Sequence, residues 1–465
     1  MGDLYQSLKK YGEEKVCPMH MPGHKRNTKL LGEELPYKID ITEIENFDDL
    51  HHPEGKIKKI QEKAQKVYGS KNSFLLVNGS TCGILAGIRS IVKPGGNILV
   101  ARNCHKSVEH AIEINNLNPI YIVPQIDEYG IDEDISVSQI EEQLKIHQNL
   151  ELIVITSPTY EGVISNLPEI VKVAHNHNVP VLVDEAHGAH LSFIQELKRY
   201  EAINSGADIV IQSLHKTLPA LTQCAIAHVQ GNIVNPKEMA RQLSIFQTSS
   251  PSYILMASIE ECLDIIENKG CELFDKYNGN LEQFYKETRN LKNLKLLGNE
   301  TSQIFDKGKI VILTNTCNLT GKELAQVLRK EYNIETEMAN INYVIAMTSI
   351  CDEKQNFQRL RDALIEIDTR VETKDLDTVN KVVDLPERKI STQQAMYASG
   401  EYVNIKEAEG KISKEYIWIY PPGIPLIVPG EVINKQIINE LHKIQSSGIE
   451  IRTSNNKFPE IMIVK

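Results

Sequence analysis

Six short apolar runs punctuate the first half of the chain, at 74–77, 97–100, 119–123, 152–156, 179–183 and 208–211. Helical periodicity fills the intervals, for example 56–68, 136–145 and 167–176. A strand buried on both faces reads as a continuous apolar run, and strands alternating with helices predict an α/β layer with a mostly parallel sheet. In such sheets ligands bind beyond the carboxyl ends of the strands. The residues that follow each run are therefore where a site is expected.

Polar residues gather there repeatedly. Run 97–100 is followed by Arg102-Asn103-Cys104-His105-Lys106-Ser107, and run 152–156 by Ser157-Pro158-Thr159-Tyr160-Glu161-Gly162. Run 179–183 leads into Asp184-Glu185-Ala186-His187-Gly188-Ala189-His190, and run 208–211 into Gln212-Ser213-Leu214-His215-Lys216-Thr217. Lysine is seldom buried without a partner, so Lys216 at the end of a core strand is either an exposed loop residue or an amine kept reactive by a dry setting, as in a Schiff-base lysine. After run 74–77 the order Asn78-Gly79-Ser80-Thr81 opens a helix. A strand, a glycine turn and a helix N-terminus aim backbone N–H groups at a phosphate, and Ser80 also suits a helix N-cap.

Pyridoxal 5'-phosphate uses this whole set. It needs a lysine for its aldehyde, a carboxylate for its pyridine nitrogen, a platform for its ring and donors for its phosphate. Lys216 can supply the first and Asp184 the second, His105 can stack on the ring, and Ser80, Thr81, Ser213 and His215 can hold the phosphate. A metal is the competing chemistry, with Asp184, His187 and His190 as ligands, but it leaves Lys216 and Ser213 without a role and lacks a thiolate pair or a helical H-E-x-x-H. His20 and His24 also have metal-ligand spacing, yet Pro22 and Gly23 between them break the helix that such a pair would need. No metal is expected.

Composition narrows the partners. The 465 residues predict more than one domain. The net charge of -11, with no long basic patch laced with aromatics, argues against nucleic acid. Eight scattered cysteines without C-x-x-C spacing predict reduced thiols and a cytoplasmic setting. The N-terminus lacks the apolar core of a signal peptide, Gln6 stands where myristoylation needs Ser or Thr, and no run reaches membrane-spanning length, so no membrane is expected.

A second α/β texture begins near residue 305, with strands expected at 309–313, 334–338 and 342–347 and helices at 320–332 and 354–367. A charged bridge, 369–381, leads to a C-terminal stretch containing Tyr420-Pro421-Pro422-Gly423. The expected organisation is an N-terminal arm and large domain over 1–305 and a smaller α/β region over 306–465, within which 382–465 forms a distinct unit.

The chain resembles the Orn/Lys/Arg decarboxylase family of the aspartate aminotransferase fold. The resemblance is carried by MPGHKRN (21–27), DITEI (40–44), DDLHHPEG (48–55), NGSTCGILAGI (78–88), RNCHKSV (102–108), SPTYEGV (157–163), VDEAHGAH (183–190), SLHKTLPALTQ (213–223), TSSPSY (248–253) and YPPGIPLIVPGE (420–431). These span nearly the whole chain in family order. The resemblance implies pyridoxal phosphate, with Lys216, Asp184, His105 and His215 as the catalytic set. It extends the cofactor contacts to Ser80, Thr81, His187 and Ser213, and to Ser249 and Ser250, which would reach the phosphate of a partner subunit in a homodimer or higher assembly sharing its active sites. It implies decarboxylation of arginine, lysine or ornithine. Glu431 is its first candidate for the substrate's distal cation, with Asp48 and Asp49 behind it and Thr159 also on the substrate side. No N-terminal wing domain precedes MPGHKRN, which points to the compact biosynthetic architecture and so to arginine. An aminotransferase would share Lys216 and Asp184 but normally brings an arginine for the substrate carboxylate, which no C-terminal context marks here. A non-catalytic regulatory homologue is the other alternative.

Overall fold

Val, Ile and Leu runs bounded by Gly, Asn and Asp become strands, and a computed structural model describes them within residues 2–14, 17–301, 303–374, 385–419, 423–446 and 448–465. The strands of the main sheet are β1 (Asn72–Leu76), β2 (Asn97–Ala101), β3 (Asn118–Ile122), β4 (Leu150–Thr156), β5 (Val181–Asp184), β6 (Ile209–Ser213) and β7 (Ala225–Val229). The sheet has seven strands and is mostly parallel, as the alternation predicts. The chain divides into two compact units, residues 1–91 with 180–275, and residues 92–179 with 276–465.

In the first unit the strand order is β1-β7-β6-β5. β5 and β6 run parallel with Asp184 opposite Ile211, whereas β7 is antiparallel to both β6 and β1. The sequence reading gave no strand at 225–229. Its stretch AIAHV is completely buried but carries His228, and it returns from the Lys216 turn without a crossover helix, so the alternation that reveals the other strands does not reveal this one. The helix Gly79–Ile91 lies on this part of the sheet through a glycine face: a Cβ on Gly83 would stand 2.7 Å from Leu76 Cδ1, and one on Gly87 2.7 Å from Leu182 Cδ1. Close helix approach of this kind has to be made by glycine. The N-terminal helix, Asp3–Glu13, buries Leu4 and Leu8, and Glu260 accepts the backbone N–H groups of Asp3 and Leu4 at 3.0 and 2.9 Å. The sequence pattern predicts an amphipathic helix over residues 3–15, and position 15 lies outside the described residues.

The second unit carries β4-β2-β3, all parallel. It also holds an antiparallel sheet of order β10-β11-β9-β8, built from β8 (Lys295–Leu296), β9 (Lys309–Leu313), β10 (Met338–Ala339) and β11 (Tyr343–Met347). The strand expected over 334–338 is thus only the two-residue β10, because 334–336 gain no partner in the ladder and Glu337 adds only its N–H, donated to Ile345 O at 2.9 Å. Ile131, Val163, Leu297, Val311, Leu313 and Ile345 form a core beneath this sheet. Nearer the C-terminus, Gly400–Asn404 pairs with Glu460–Val464, and Ile417–Ile419 lies between Pro425–Ile427 and Ile451–Thr453. The helix Lys435–Ser446 adds Ile437 and Leu441 to Ile417, Ile427 and Ile461 in a separate core. Each such buried aliphatic side chain contributes about 1.5–3 kcal/mol over its exposed state. Residues 375–381 of the charged bridge, the boundary at 382, and Tyr420, Pro421 and Pro422 lie outside the described residues. Among the described residues no helix is long and apolar enough to cross a membrane.

Candidate active site

The carboxyl ends of β5 and β6 place the central residues of the first unit. Parallel pairing continues past the last residue of β5, since Glu185 N donates to Ile211 O at 2.9 Å, and it holds the two strand ends side by side. Asp184 closes β5 and is buried, with Oδ1 accepting from Ala186 N at 3.1 Å. Burial pushes its carboxyl above the usual range, while the positive charge of Lys216 and the Ala186 N–H pull it back. β6 ends at Ser213, and a single helical turn, Leu214–Thr217, carries His215 and Lys216. Lys216 Nζ lies 3.0 Å from His187 Nε2. His215 Nδ1 meets the carbonyl of Cys224 at 3.0 Å. Burial lowers the pKa of His215, and the Lys216 charge lowers it further against that carbonyl bond, so the ring is neutral near pH 7.

The same strand end presents unsatisfied hydroxyls. Ser213 and Thr217 are buried, and among the described residues neither Ser213 Oγ nor Thr217 Oγ1 has a hydrogen-bond partner. Buried polar atoms are nearly always paired, so two orphan donors flanking Lys216 mark a place for an acceptor-rich group. The neighbouring turn supplies more donors. Gly79 has a positive φ of 71° and donates to Gln223 O at 3.1 Å, which sets the start of the helix that carries Ser80 and Thr81. Ser80 is half-buried and Thr81 exposed. Asn78 Oδ1 accepts from Thr248 N at 3.1 Å, and Gln247 bonds both Val77 N and Leu75 O, so the TSSPSY turn is anchored to the end of β1. Ser249 and Ser250 are exposed on it. An anionic phosphate, a cationic ring nitrogen and an aldehyde fit this donor set, this buried carboxylate and this amine. Thr217 and Gln212 were not singled out from the sequence as candidate site residues; their position on the strand end that bears Lys216 is the signal.

The remaining candidates fall elsewhere. His105, in the second unit, caps the helix Lys106–Asn115 and its Nδ1 faces Ser107 N and Oγ. Thr159 is buried and its hydroxyl accepts from Val163 N at 3.2 Å, bracing a turn that Gly162 completes with a φ of 112°. Glu431 is enclosed against Arg102, whose Nη2 stands 3.2 Å from Oε2, and the same oxygen accepts from Val428 N at 2.9 Å. Its carboxylate therefore already has a cationic partner within its own unit. Asp48 accepts the N–H groups of Glu54, Gly55 and Ile57 and caps the helix Lys56–Tyr68, and Asp49 accepts from His51 N. His20 and His24 have different partners, Tyr11 and Asp40. Among the described residues no group of three His, Cys, Asp or Glu side chains is arranged to hold a metal.

The fold and the strand-end site define a fold-type I enzyme of the aspartate aminotransferase kind. Comparison with known proteins narrows this further. The Orn/Lys/Arg decarboxylase major domain matches residues 2–318 and the C-terminal domain of the same family matches residues 377–459. The chain belongs to the Orn/Lys/Arg decarboxylase family, and so to the carboxy-lyases of basic amino acids. It is 32% identical over 465 residues to an arginine decarboxylase of Bacillus subtilis, covering 97% of this chain and 94% of that one. Among solved structures it is similar to the lysine decarboxylase LdcF of Francisella novicida, with a TM-score of 0.85 and 21% identity over 99% of this chain and 81% of that chain. More distantly, a Sphingomonas wittichii serine palmitoyltransferase shares the fold, with a TM-score of 0.54 and 17% identity over 68% of this chain and 76% of that one.

Proposed function

We propose that the protein is a pyridoxal phosphate-dependent decarboxylase that converts arginine to agmatine and carbon dioxide. The observation that carries this reading is the meeting, at the ends of β5 and β6, of the Lys216 amine, the buried Asp184 carboxylate and the orphan hydroxyls of Ser213 and Thr217. The near full-length likeness to a protein named arginine decarboxylase supports the choice of substrate.

Pyridoxal phosphate, when bound, supplies an electron sink for the pair left behind as carbon dioxide departs. Lys216 is the residue that tethers it. Asp184, whose raised carboxyl the Lys216 charge and the Ala186 N–H pull back toward ionisation, would keep a proton on the ring nitrogen and so maintain the sink. Ser213 and Thr217, with the helix start at Ser80 and Thr81, hold the phosphate, and His215 closes that side. The family resemblance is what nominates His105 as the ring platform. Lys216 is better suited than the neutral His215 to return a proton to the substrate α-carbon, because its amine stands beside His187 and can exchange a proton with it. The family resemblance is what nominates Thr159 and Glu431 as substrate contacts; within its own unit Glu431 pairs with Arg102. The exposed Ser249 and Ser250 belong to an edge shared with a second subunit of a homodimer, and eight free cysteines accord with a cytoplasmic setting.

Incubating the purified chain with pyridoxal phosphate and, separately, arginine, lysine and ornithine, and identifying the product by mass, tests the reading. Agmatine is expected. Cadaverine or putrescine instead would move the substrate, and a keto acid without carbon dioxide would replace decarboxylation with amino transfer.

A further inference from the structure

On the face of β5 and β6 opposite Asp184 and Ser213 lies a second polar cluster that the chemistry above does not use. Glu185, Glu201, Gln212 and His228 are each completely buried. Gln212 Nε2 donates to Glu185 Oε2 at 2.7 Å, and the other Glu185 oxygen accepts from Ala202 N at 2.9 Å. Glu201 hydrogen-bonds Glu185 and is itself fixed by Asn204 N, Asn204 Nδ2 and Ile203 N at 2.9, 2.7 and 3.1 Å. On the far side, Gln212 Oε1 faces His228 Nε2 at 3.2 Å, and His228 Nδ1 meets the hydroxyls of Ser70 and Ser73 at 3.0 and 2.9 Å.

With Gln212 Oε1 as the acceptor, His228 must donate through Nε2 and accept at Nδ1 from a serine hydroxyl, which requires a neutral ring. Burial alone drives the pKa of His228 down to about 3, so the ring is neutral. In this orientation the Gln212 NH2 faces the two carboxyls; the reverse orientation, with His228 Nδ1 donating to a serine and Nε2 accepting from Gln212, closes the network as well. Two buried carboxyls in contact cannot both ionise. Burial raises both, and Glu185 rises further because the charge of Glu201 opposes it, whereas the Asn204 and Ile203 donors pull Glu201 down. Glu185 therefore carries the proton and gives it to Glu201.

We infer that Gln212 and Glu185 are positioning residues: their hydrogen bond clamps the carboxyl ends of β5 and β6 and so sets the spacing between Asp184, one residue before Glu185, and the Ser213–Lys216 turn, which begins one residue after Gln212. The inference rests on the reading of Asp184 and Lys216 as cofactor contacts. Neither Gln212 nor Glu185 can touch the cofactor, because side chains alternate across a strand and theirs point to the other face. A buried amide that loses its partner leaves the remaining groups unsatisfied, which in a small polar network loosens every member.

The test uses the full chain with Gln212→Met, Glu185→Met and Glu185→Gln. In the cofactor-free protein, amide hydrogen exchange over 213–217 is expected to quicken about tenfold in both methionine variants, at unchanged far-ultraviolet dichroism, and to stay at the wild-type rate in Glu185→Gln, whose Oε1 keeps the Ala202 N–H and whose NH2 donates to Glu201 and, once the Gln212 amide turns over and His228 takes its other tautomer, to Gln212 Oε1. The dissociation constant for pyridoxal phosphate should rise about tenfold in the methionine variants and be restored in Glu185→Gln. Wild-type exchange over 213–217 in a folded methionine variant would overturn the clamp, and Glu185→Gln behaving like Glu185→Met would overturn the placement of the proton. Should one methionine variant not fold, the other decides. A wild-type chain that binds no pyridoxal phosphate would sink the cofactor reading while the exchange rates still report on the clamp.

Discussion

Lys216 and Asp184 leave neighbouring strands of the sheet, and the lysine's charge works against the burial that raises the Asp184 carboxyl. The cation draws that carboxyl back toward ionisation in a dry place. On the proposed reading, the same carboxylate would serve a protonated ring nitrogen.

Replacing that anion isolates its contribution. Asp184→Asn keeps the shape and the Ala186 contact but not the charge, and kcat for decarboxylation is expected to fall by about 10²–10³, the range for a major electrostatic group. Lys216→Ala should also remove the cofactor's visible absorbance. Steady-state assay and absorbance spectra of the two variants check both.

The buried pair of Arg102 and Glu431 makes a stability prediction. Glu431→Gln takes the carboxylate from an enclosed guanidinium that keeps the carbonyls of Pro425 and Leu426, the Tyr121 ring and the charge of Glu109, and should cost about 3 kcal/mol in chemical denaturation. Arg102→Met with Glu431→Met should recover most of it. A Glu431→Gln protein with wild-type stability and a raised KM for arginine would instead make substrate contact its main role.

Asp132 should make stability depend on pH. The residue is half-buried, and burial of its carboxyl, with Glu161 and Asp127 nearby, pushes it up to about 7 against a hydrogen bond from Asn103. An acid raised in the folded state is favoured there while protonated. The unfolded chain loses that proton near pH 4, so this contribution declines from there and is gone once pH passes about 7. Asp132→Asn, which cannot ionise, is expected to gain on the order of 1–3 kcal/mol over wild type at pH 8 and nothing at pH 4. Urea titrations at the two pH values read the difference.

The glycine face of the helix Gly79–Ile91 should tolerate no methyl group. Gly83→Ala would set its Cβ 2.7 Å from Leu76 Cδ1 and 3.0 Å from Ile211 Cγ2, so the helix must lift or the core repack, at about 1–3 kcal/mol. Because that helix starts at Ser80 and Thr81, weaker binding of pyridoxal phosphate should accompany the lower melting temperature. Calorimetry and cofactor titration measure the two effects.

The sequence by itself determined the strand ends. Apolar runs, helical periodicity and the residues between them are local features, so the parallel sheet, the turn bearing Lys216 and the family likeness were legible in it. Asp184 and Lys216 could be paired from the sequence because neighbouring runs end at both. Tertiary structure alone decided the rest. It decided that β7 returns antiparallel between β1 and β6, that Glu431 meets Arg102 at 329 residues' separation, and that Gln212 lies between Glu185 and His228. No periodicity records such contacts. They follow from which buried polar groups are forced to satisfy one another once the chain has closed around them.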